Sequence, residues 1–227
     1  MKSPCLLVKT GLVDYSEAYS LQKSFLEKKI SSGGADVLIL SEHRPVITLG
    51  RGFRESNLLL ARDELERRGI SVCEVERGGD ATYHGPGQLV GYPVFDLAGR
   101  GKDLRRFIVE TEEVIIRALS DFNISAERKE GNTGVWAGGK KIASIGVAVR
   151  RWVSYHGFAL NIFPEMKNFS FINPCGLDYN VMTSMEMILG KVIPLEGAAE
   201  RIAARFTEVF GLEFISPEGE TGNAQEY

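Results

Sequence analysis

The sequence predicts an α+β fold, a single domain with a mixed β-sheet flanked by helices. Three observations carry this reading. Strand-like segments outnumber helical ones, and they do not alternate strictly with helices as a doubly wound parallel fold requires. Two strand-like runs meet directly at Gly138-Gly139, a pair suited to a tight hairpin. No internal repeat or linker-like shift of composition interrupts residues 1–210.

Taken in order, CLLVKTG near the start reads as a strand, and Asp14 with Glu17 forms a D-x-x-E capping box that opens a helix through about Lys29. Ala18, Leu21 and Phe25 are its expected inward face. DVLIL (36–40) and VITLG (46–50) read as strands around a loop SEHRP. A short helix near 61–68 precedes the strand-like GISVCEVE. LVGYPVFDL (89–97) alternates like a strand. Residues 103–120 give the clearest helix, because Leu104, Phe107, Ile108, Thr111, Ile115 and Leu119 recur at three- and four-residue spacing. GVWAGGKKIASIGVAV reads as the two hairpin strands, Thr183 to Glu186 as a second capping box, and 195–210 as a last helix that stops at Gly211. The domain is expected to span 1–215, and the polar tail 216–227 to be disordered.

Composition excludes several function classes. The 227 residues carry a formal net charge of −3, so no global field favours nucleic acid or an anionic membrane. The four-residue apolar run after Met1 is too short for a signal-peptide core, and no run approaches spanning length, so a cytoplasmic location is expected. The three cysteines, Cys5, Cys73 and Cys175, are too scattered for a disulfide framework or a zinc site. No metal is expected.

The chemistry-bearing residues gather in a few stretches. RGGDATYHGPGQ (77–88) has the backbone freedom of a phosphate loop but matches neither G-x-x-x-x-G-K-[ST] nor G-x-G-x-x-G. It is either a site or a turn-rich connection. His84 lies within it, whereas His43 and His156, taken singly, read as structural hydrogen-bonders. On the second hairpin strand, alternation sets Lys141 on one face with Ala143, Ile145, Val147 and Val149. There it is either a partly desolvated base or a lysine that snorkels to solvent. Cys175 sits in a turn, INPCGLDYN, and is the best nucleophile candidate of the three cysteines; the alternative is a structural thiol.

Together RGGDATYHGPGQLVGYP (77–93), GVWAGGKKIASIGV (134–147), YHGFALNI (155–162) and NPCGL (173–177) resemble the lipoyl(octanoyl) transferase family, in the family's order. The resemblance implies the fold of the biotin and lipoate protein ligases. It also implies transfer of an octanoyl group from octanoyl-acyl carrier protein to a lysine of a lipoyl domain, without a cofactor. Implied acceptors are the lipoyl domains of 2-oxoacid dehydrogenases and the glycine cleavage H protein. Residue by residue, it makes Cys175 the acyl-thioester nucleophile and Lys141 its base. It makes Arg77, Gly78, Gly79, Asp80, Ala81, Thr82, Tyr83, His84, Ser144, Ile145, Gly146, Gly157, Phe158 and Ala159 the pocket walls.

Two positions depart from the family pattern: Arg44, where a neutral residue is expected, and Ala81, smaller than expected and so a possible influence on pocket volume and chain length. Arg44, Arg51, Arg54, Arg150 and Arg151 are either a local docking patch for an acidic carrier or a solvated scatter. Two other functions remain open: an ATP-dependent lipoate or biotin ligase of the same fold, and a non-catalytic acyl- or lipoyl-domain-binding module.

Overall fold

The computed structural model describes residues 2–174 and 178–215. Strand β1 (Ser3–Val13) leads into helix α1 (Tyr15–Ser32), whose start is closed by the capping box; the Asp14 N–H donates to the Glu17 carboxylate at 3.1 Å. The buried face of α1 is Tyr15, Ala18, Gln22 and Leu26, with Leu21 and Phe25 half-buried at its flanks. A glutamine in that row is what blurs the apolar stripe in the sequence.

Strand β2 (Asp36–His43) runs through most of the expected SEHRP loop, leaving Arg44 and Pro45 to turn into β3 (Val46–Leu49). Then come α2 (Arg62–Arg67), β4 (Ser71–Glu74), β5 (Ala81–His84) and β6 (Gln88–Val94). The long amphipathic helix α3 (Leu104–Ser120) is capped by Asp103, which accepts from the Arg106 N–H at 2.9 Å. After β7 (Glu127–Lys129), β8 (Asn132–Ala137) and β9 (Lys140–Arg150) form the expected hairpin, with φ of 56° and 76° at Gly138 and Gly139.

Strand β10 (Val153–Asn161) returns along β9. Helix α4 (Met185–Leu189) is capped by Ser184, not by Thr183 as the sequence suggested, because the Thr183 backbone is committed to Lys141. Helix α5 (Leu195–Phe210) ends at Gly211 in the left-handed region, and β11 (Leu212–Ile215) follows.

The main sheet has the order β11-β1-β2-β6-β10-β9-β8-β7. Its first two pairings, β11 with β1 and β1 with β2, are parallel and the rest antiparallel, so the sheet is mixed as expected. A second, three-stranded sheet has the order β4-β3-β5. Helices α3 and α5 cover one face of the main sheet, where Phe206 packs among Phe95, Phe158 and Phe210 with ring centroids 5.4–6.0 Å apart. Burying one such phenyl contributes about 1.5–3 kcal/mol. Helix α1 covers the other face, and the small sheet packs its own cluster of Ile47, Leu65, Tyr83 and Phe169. Among the described residues no helix is long and apolar enough to cross a membrane.

Candidate active site

A cleft of about 450 Å³, mouth included, opens between the glycine-rich loop and strands β6, β9 and β10. Eleven of the residues expected as pocket walls line it: Arg77, Gly78, Gly79, Thr82, His84, Ser144, Ile145, Gly146, Gly157, Phe158 and Ala159. Asp80, Ala81 and Tyr83 do not. Along β5 side chains alternate, so Thr82 and His84 face the cleft while Ala81 and Tyr83 enter the cluster under the small sheet. The small side chain of Ala81 therefore has no bearing on cleft volume. Asp80 is turned toward Arg54 and Asn57.

Strand β10 is bent into this cleft by a break in its pairing. Its ladder with β6 runs from Phe158 opposite Gly91 to Asn161 opposite Gln88. Pro93 has no N–H with which to extend that ladder. Ser154 repairs the gap, donating its hydroxyl to the Pro93 carbonyl at 2.7 Å and its N–H to the Phe95 carbonyl at 3.0 Å. Between the two patterns His156 adopts a φ of 55°, and its N–H donates instead to Gln22 Oε1 of α1 at 3.0 Å. Gly157 is required here: a Cβ would lie 2.1 Å from the Gly91 carbonyl oxygen. Its missing side chain makes room for the β6 backbone and the Pro93 ring.

Tyr15, Val90, Tyr92 and His156 also line the cleft, though sequence reasoning did not place them there. With His43 and His84, the tyrosines and His156 form a buried aromatic cluster. Tyr15 stacks parallel to His84 with centroids 6.3 Å apart, Tyr15 OH meets His156 Nδ1 at 3.3 Å, and His43 Nε2 meets Tyr92 OH at 2.6 Å. Burial lowers the imidazole pKa to about 4 in His43, about 3 in His84 and about 4 in His156. The neighbouring Arg77 cation pushes His84 and His156 the same way. All three rings are neutral at pH 7. Burial likewise raises the phenols of Tyr15 and Tyr92.

Arg77 is itself buried, and its guanidinium donates to the Thr48 carbonyl at 2.6 Å and the Thr48 hydroxyl at 2.8 Å. It thus ties the loop to β3 while lining the cleft. The Gly78 N–H donates to the Val147 carbonyl at 2.9 Å, docking the loop on β9 and removing that amide from the set that could meet a developing oxyanion.

Lys141 is only 3% exposed, so the solvent-snorkelling alternative does not hold. The expected alternation is interrupted: Trp136 pairs with Lys141 but Val135 pairs with Ala143, a bulge that leaves Ile142 over and re-aims the strand. The Lys141 Nζ lies 5.9 Å from the Trp136 ring centroid. Its Cε passes over Gly134, where a Cβ would intrude to 2.7 Å and where φ is 123°. Gly134 is held from below, its N–H donating to Glu112 of α3 at 2.9 Å, and Glu112 pairs with Arg128 at 3.2 Å.

Cys175 lies outside the described residues. Its described flanks are anchored on both sides. Upstream, Asn173 donates its N–H to the Asn57 carbonyl at 2.9 Å. Downstream, Met182 bridges Lys141 and the Thr183 N–H donates to the Lys141 carbonyl at 3.0 Å. A polar chain joins this point to the cleft: His84 Nδ1 bonds Gln88 Oε1 at 3.0 Å, Gln88 donates to Asn161 at 3.0 Å, and Asn161 donates to the Thr183 carbonyl at 2.9 Å. The other cysteines suit packing. Burial pushes the Cys5 thiol up to about 12, and Cys73 is also raised by burial. Among the described residues no group of three His, Cys, Asp or Glu side chains could hold a metal ion.

The mixed sheet with its flanking helices is the fold of the solved lipoate protein ligases. The lipoate protein ligase of Thermoplasma acidophilum shares the fold at a TM-score of 0.71 and 17% identity, covering 96% of this chain and 89% of that one. Residues 14–207 match the lipoyl protein ligase A/B catalytic domain, and the chain belongs to that family. Curated relatives named octanoyltransferase include one from Geotalea uraniireducens, 46% identical over 92% of this chain and 94% of its own length. Another, from Caldicellulosiruptor saccharolyticus, is 44% identical over 89% and 87%.

Proposed function

We propose that this chain is an octanoyltransferase of protein lipoylation that carries the acyl group as a Cys175 thioester, with Lys141 as the proton-transfer group. The observation that carries the reading is similarity to octanoyltransferases over 89–92% of the chain, combined with a buried Lys141 whose carbonyl accepts the Thr183 N–H, eight residues after Cys175. Lys141 takes the Sγ proton, the thiolate attacks the thioester carbonyl of octanoyl-acyl carrier protein, and the carrier sulfur leaves with the proton from Lys141. A neutral lysine amine of the lipoyl domain then attacks the enzyme thioester. An amide forms, the Cys175 sulfur departs, and Lys141 again moves the proton. The first exchange is nearly balanced and the second runs downhill, so no ATP is consumed.

The apolar walls Ile145, Phe158, Val90 and Ala159 suit the alkyl chain, each buried CH₂ contributing about 0.8 kcal/mol. Arg77, Thr82 and His84 form a polar side of the cleft.

Intact mass after incubation with octanoyl-acyl carrier protein, without ATP, tests the reading. The expected result is one octanoyl adduct that Cys175→Ala abolishes and that moves to an added lipoyl domain. Turnover that appears only with ATP and free octanoate would establish a ligase instead.

The arginine patch has a weaker field than the sequence suggested, since Arg44 pairs with Asp14 at 3.2 Å and Arg150 with Glu27. Arg151 stands at the β9–β10 turn in the left-handed region, exposed. Reversing Arg150 and Arg151 to glutamate is expected to raise the apparent KM for the acyl carrier, and to lower its salt dependence, without slowing turnover of a small octanoyl thioester. An unchanged KM would remove these residues from the docking surface.

A further inference from the structure

We propose that Asp80 and Asn57 form a positioning clamp that holds the chain entering Cys175 against the glycine-rich wall of the cleft. This rests on the assignment of Cys175 as the acyl-carrying thiol. Asp80, expected to face substrate, is instead nearly buried behind the loop. Its carboxylate accepts from the Ala81 N–H at 2.7 Å, the Arg54 N–H at 3.3 Å and the Asn57 side-chain amide at 2.5 Å.

Asn57 hands this constraint on. Its carbonyl accepts the Asn173 N–H at 2.9 Å, Leu58 bridges Ile172 in antiparallel sense, and the Leu59 N–H donates to the Phe171 carbonyl at 2.9 Å. That short pairing leads directly to Pro174, which is buried, and so to the residue before Cys175.

The other end of the same loop reads the cleft wall. Gly50 donates to the Asp80 carbonyl at 3.2 Å, Arg51 to the Arg77 carbonyl at 3.0 Å and Gly52 to the Gly79 carbonyl at 2.9 Å. Residues 50–59 are therefore a rigid link between the loop that lines the cleft and the approach to the nucleophile, and the Asp80–Asn57 bond is its side-chain latch. The small sheet has pairings of its own, β3 with β4 and β5, although Asp80 also accepts the Ala81 N–H at the start of β5 and Leu58 and Ile172 belong to its apolar cluster. Displacement of a reacting group by about 1 Å costs up to about 100-fold in rate, so loosening the latch should act on acylation more than on folding.

Single-turnover loading from octanoyl-acyl carrier protein, with donor concentration varied and Tm recorded, tests the clamp. Asp80→Ala and Asn57→Ala are each expected to lower the limiting loading rate about 10- to 100-fold with little change in apparent KM for the donor. The exchanged pair, Asp80→Asn with Asn57→Asp, rebuilds the bond with donor and acceptor reversed and is expected to recover most of the rate.

Single variants that load at the wild-type rate, or whose loss lies wholly in KM, overturn the proposal. So does an exchanged pair with wild-type Tm that stays as slow as the single variants. If Asp80→Ala does not fold, Asp80→Asn alone against the exchanged pair makes the same comparison. Mapping the adduct in the wild-type protein separates the two levels: octanoyl on a residue other than Cys175 removes the nucleophile assignment, whereas octanoyl on Cys175 with unaffected clamp variants removes only the clamp.

Discussion

Replacing Lys141 by methionine is expected to slow octanoyl loading about 10²- to 10⁴-fold at pH 7, the usual contribution of a positioned proton-transfer group. Methionine keeps an unbranched stem of similar volume, so the space over Gly134 stays filled and no large cavity opens. The loss should therefore be chemical. Two readouts separate it from misfolding. Tm recorded on the same samples shows how much of the fold the substitution disturbs, since the buried amine has polar interactions of its own to lose. The deficit should also shrink as pH rises and the thiol ionises without help. Single-turnover loading across pH is the measurement, and a variant that loads as fast as wild type at pH 7 would take Lys141 out of the proton transfer.

Acid should destabilise the protein steeply as pH falls from 6.5 toward 4, the range in which the unfolded chain binds protons that the folded histidines refuse. Burial depresses the pKa of His43, His84 and His156 from 6.5 to about 4, about 3 and about 4. Well above pH 6.5 the three rings are neutral in both folded and unfolded chains, and their contribution to stability is complete. As pH falls below 6.5 the unfolded chain takes up protons that the folded one refuses, so stability falls by up to about 1.4 kcal/mol per pH unit for each ring. The loss ends once pH passes the folded values. Glu76 lies 3.8 Å from His156 Nε2 and is the carboxylate that opposes this depression in His156.

Urea midpoints measured from pH 7 to pH 4 check this, with His84→Gln expected to reduce the slope by about one proton. A midpoint flat between pH 6.5 and 5 would show that the folded cluster accepts protons freely. The same neutrality bears on function, because uncharged imidazoles leave Arg77 as the cation at that end of the cleft.

Much of this architecture was legible because it rests on local chemistry. The apolar stripes of α3 and α5, the Gly138-Gly139 turn and the Gly211 stop each depend on neighbours within a few residues, and each stands where the pattern put it. The pocket was legible in part for the same reason. Once 77–84 is known to line a cleft, period-2 alternation sorts Thr82 and His84 from Ala81 and Tyr83, a step that requires knowing β5 is a strand. Glycine and aspartate in RGGDATYH hid that strand, since both are poor strand formers.

The three histidines show the opposite case. His43 comes from β2, His84 from β5 and His156 from β10, on strands far apart in the chain, and no local pattern announces that they meet. Their convergence follows from which strands pair, a choice made by burial of whole faces. The bend that turns His156 into the cleft needs a proline on β6, a glycine on β10 and a glutamine on α1, each unremarkable where it stands.

The linear chain, then, already contained the fold class, the ends of its principal helices, the family motifs and the pairing of Lys141 with Cys175 as candidates, because propensity, periodicity and short-range spacing are properties of neighbours. Assembly settled the burial of Lys141 over Gly134, the hydrogen bond that turns Asp80 away from the cleft toward Asn57, and the gathering of neutral histidines at the cleft. Those outcomes depend on desolvation and on long-range strand pairing, which exist only once distant segments exclude water from one another.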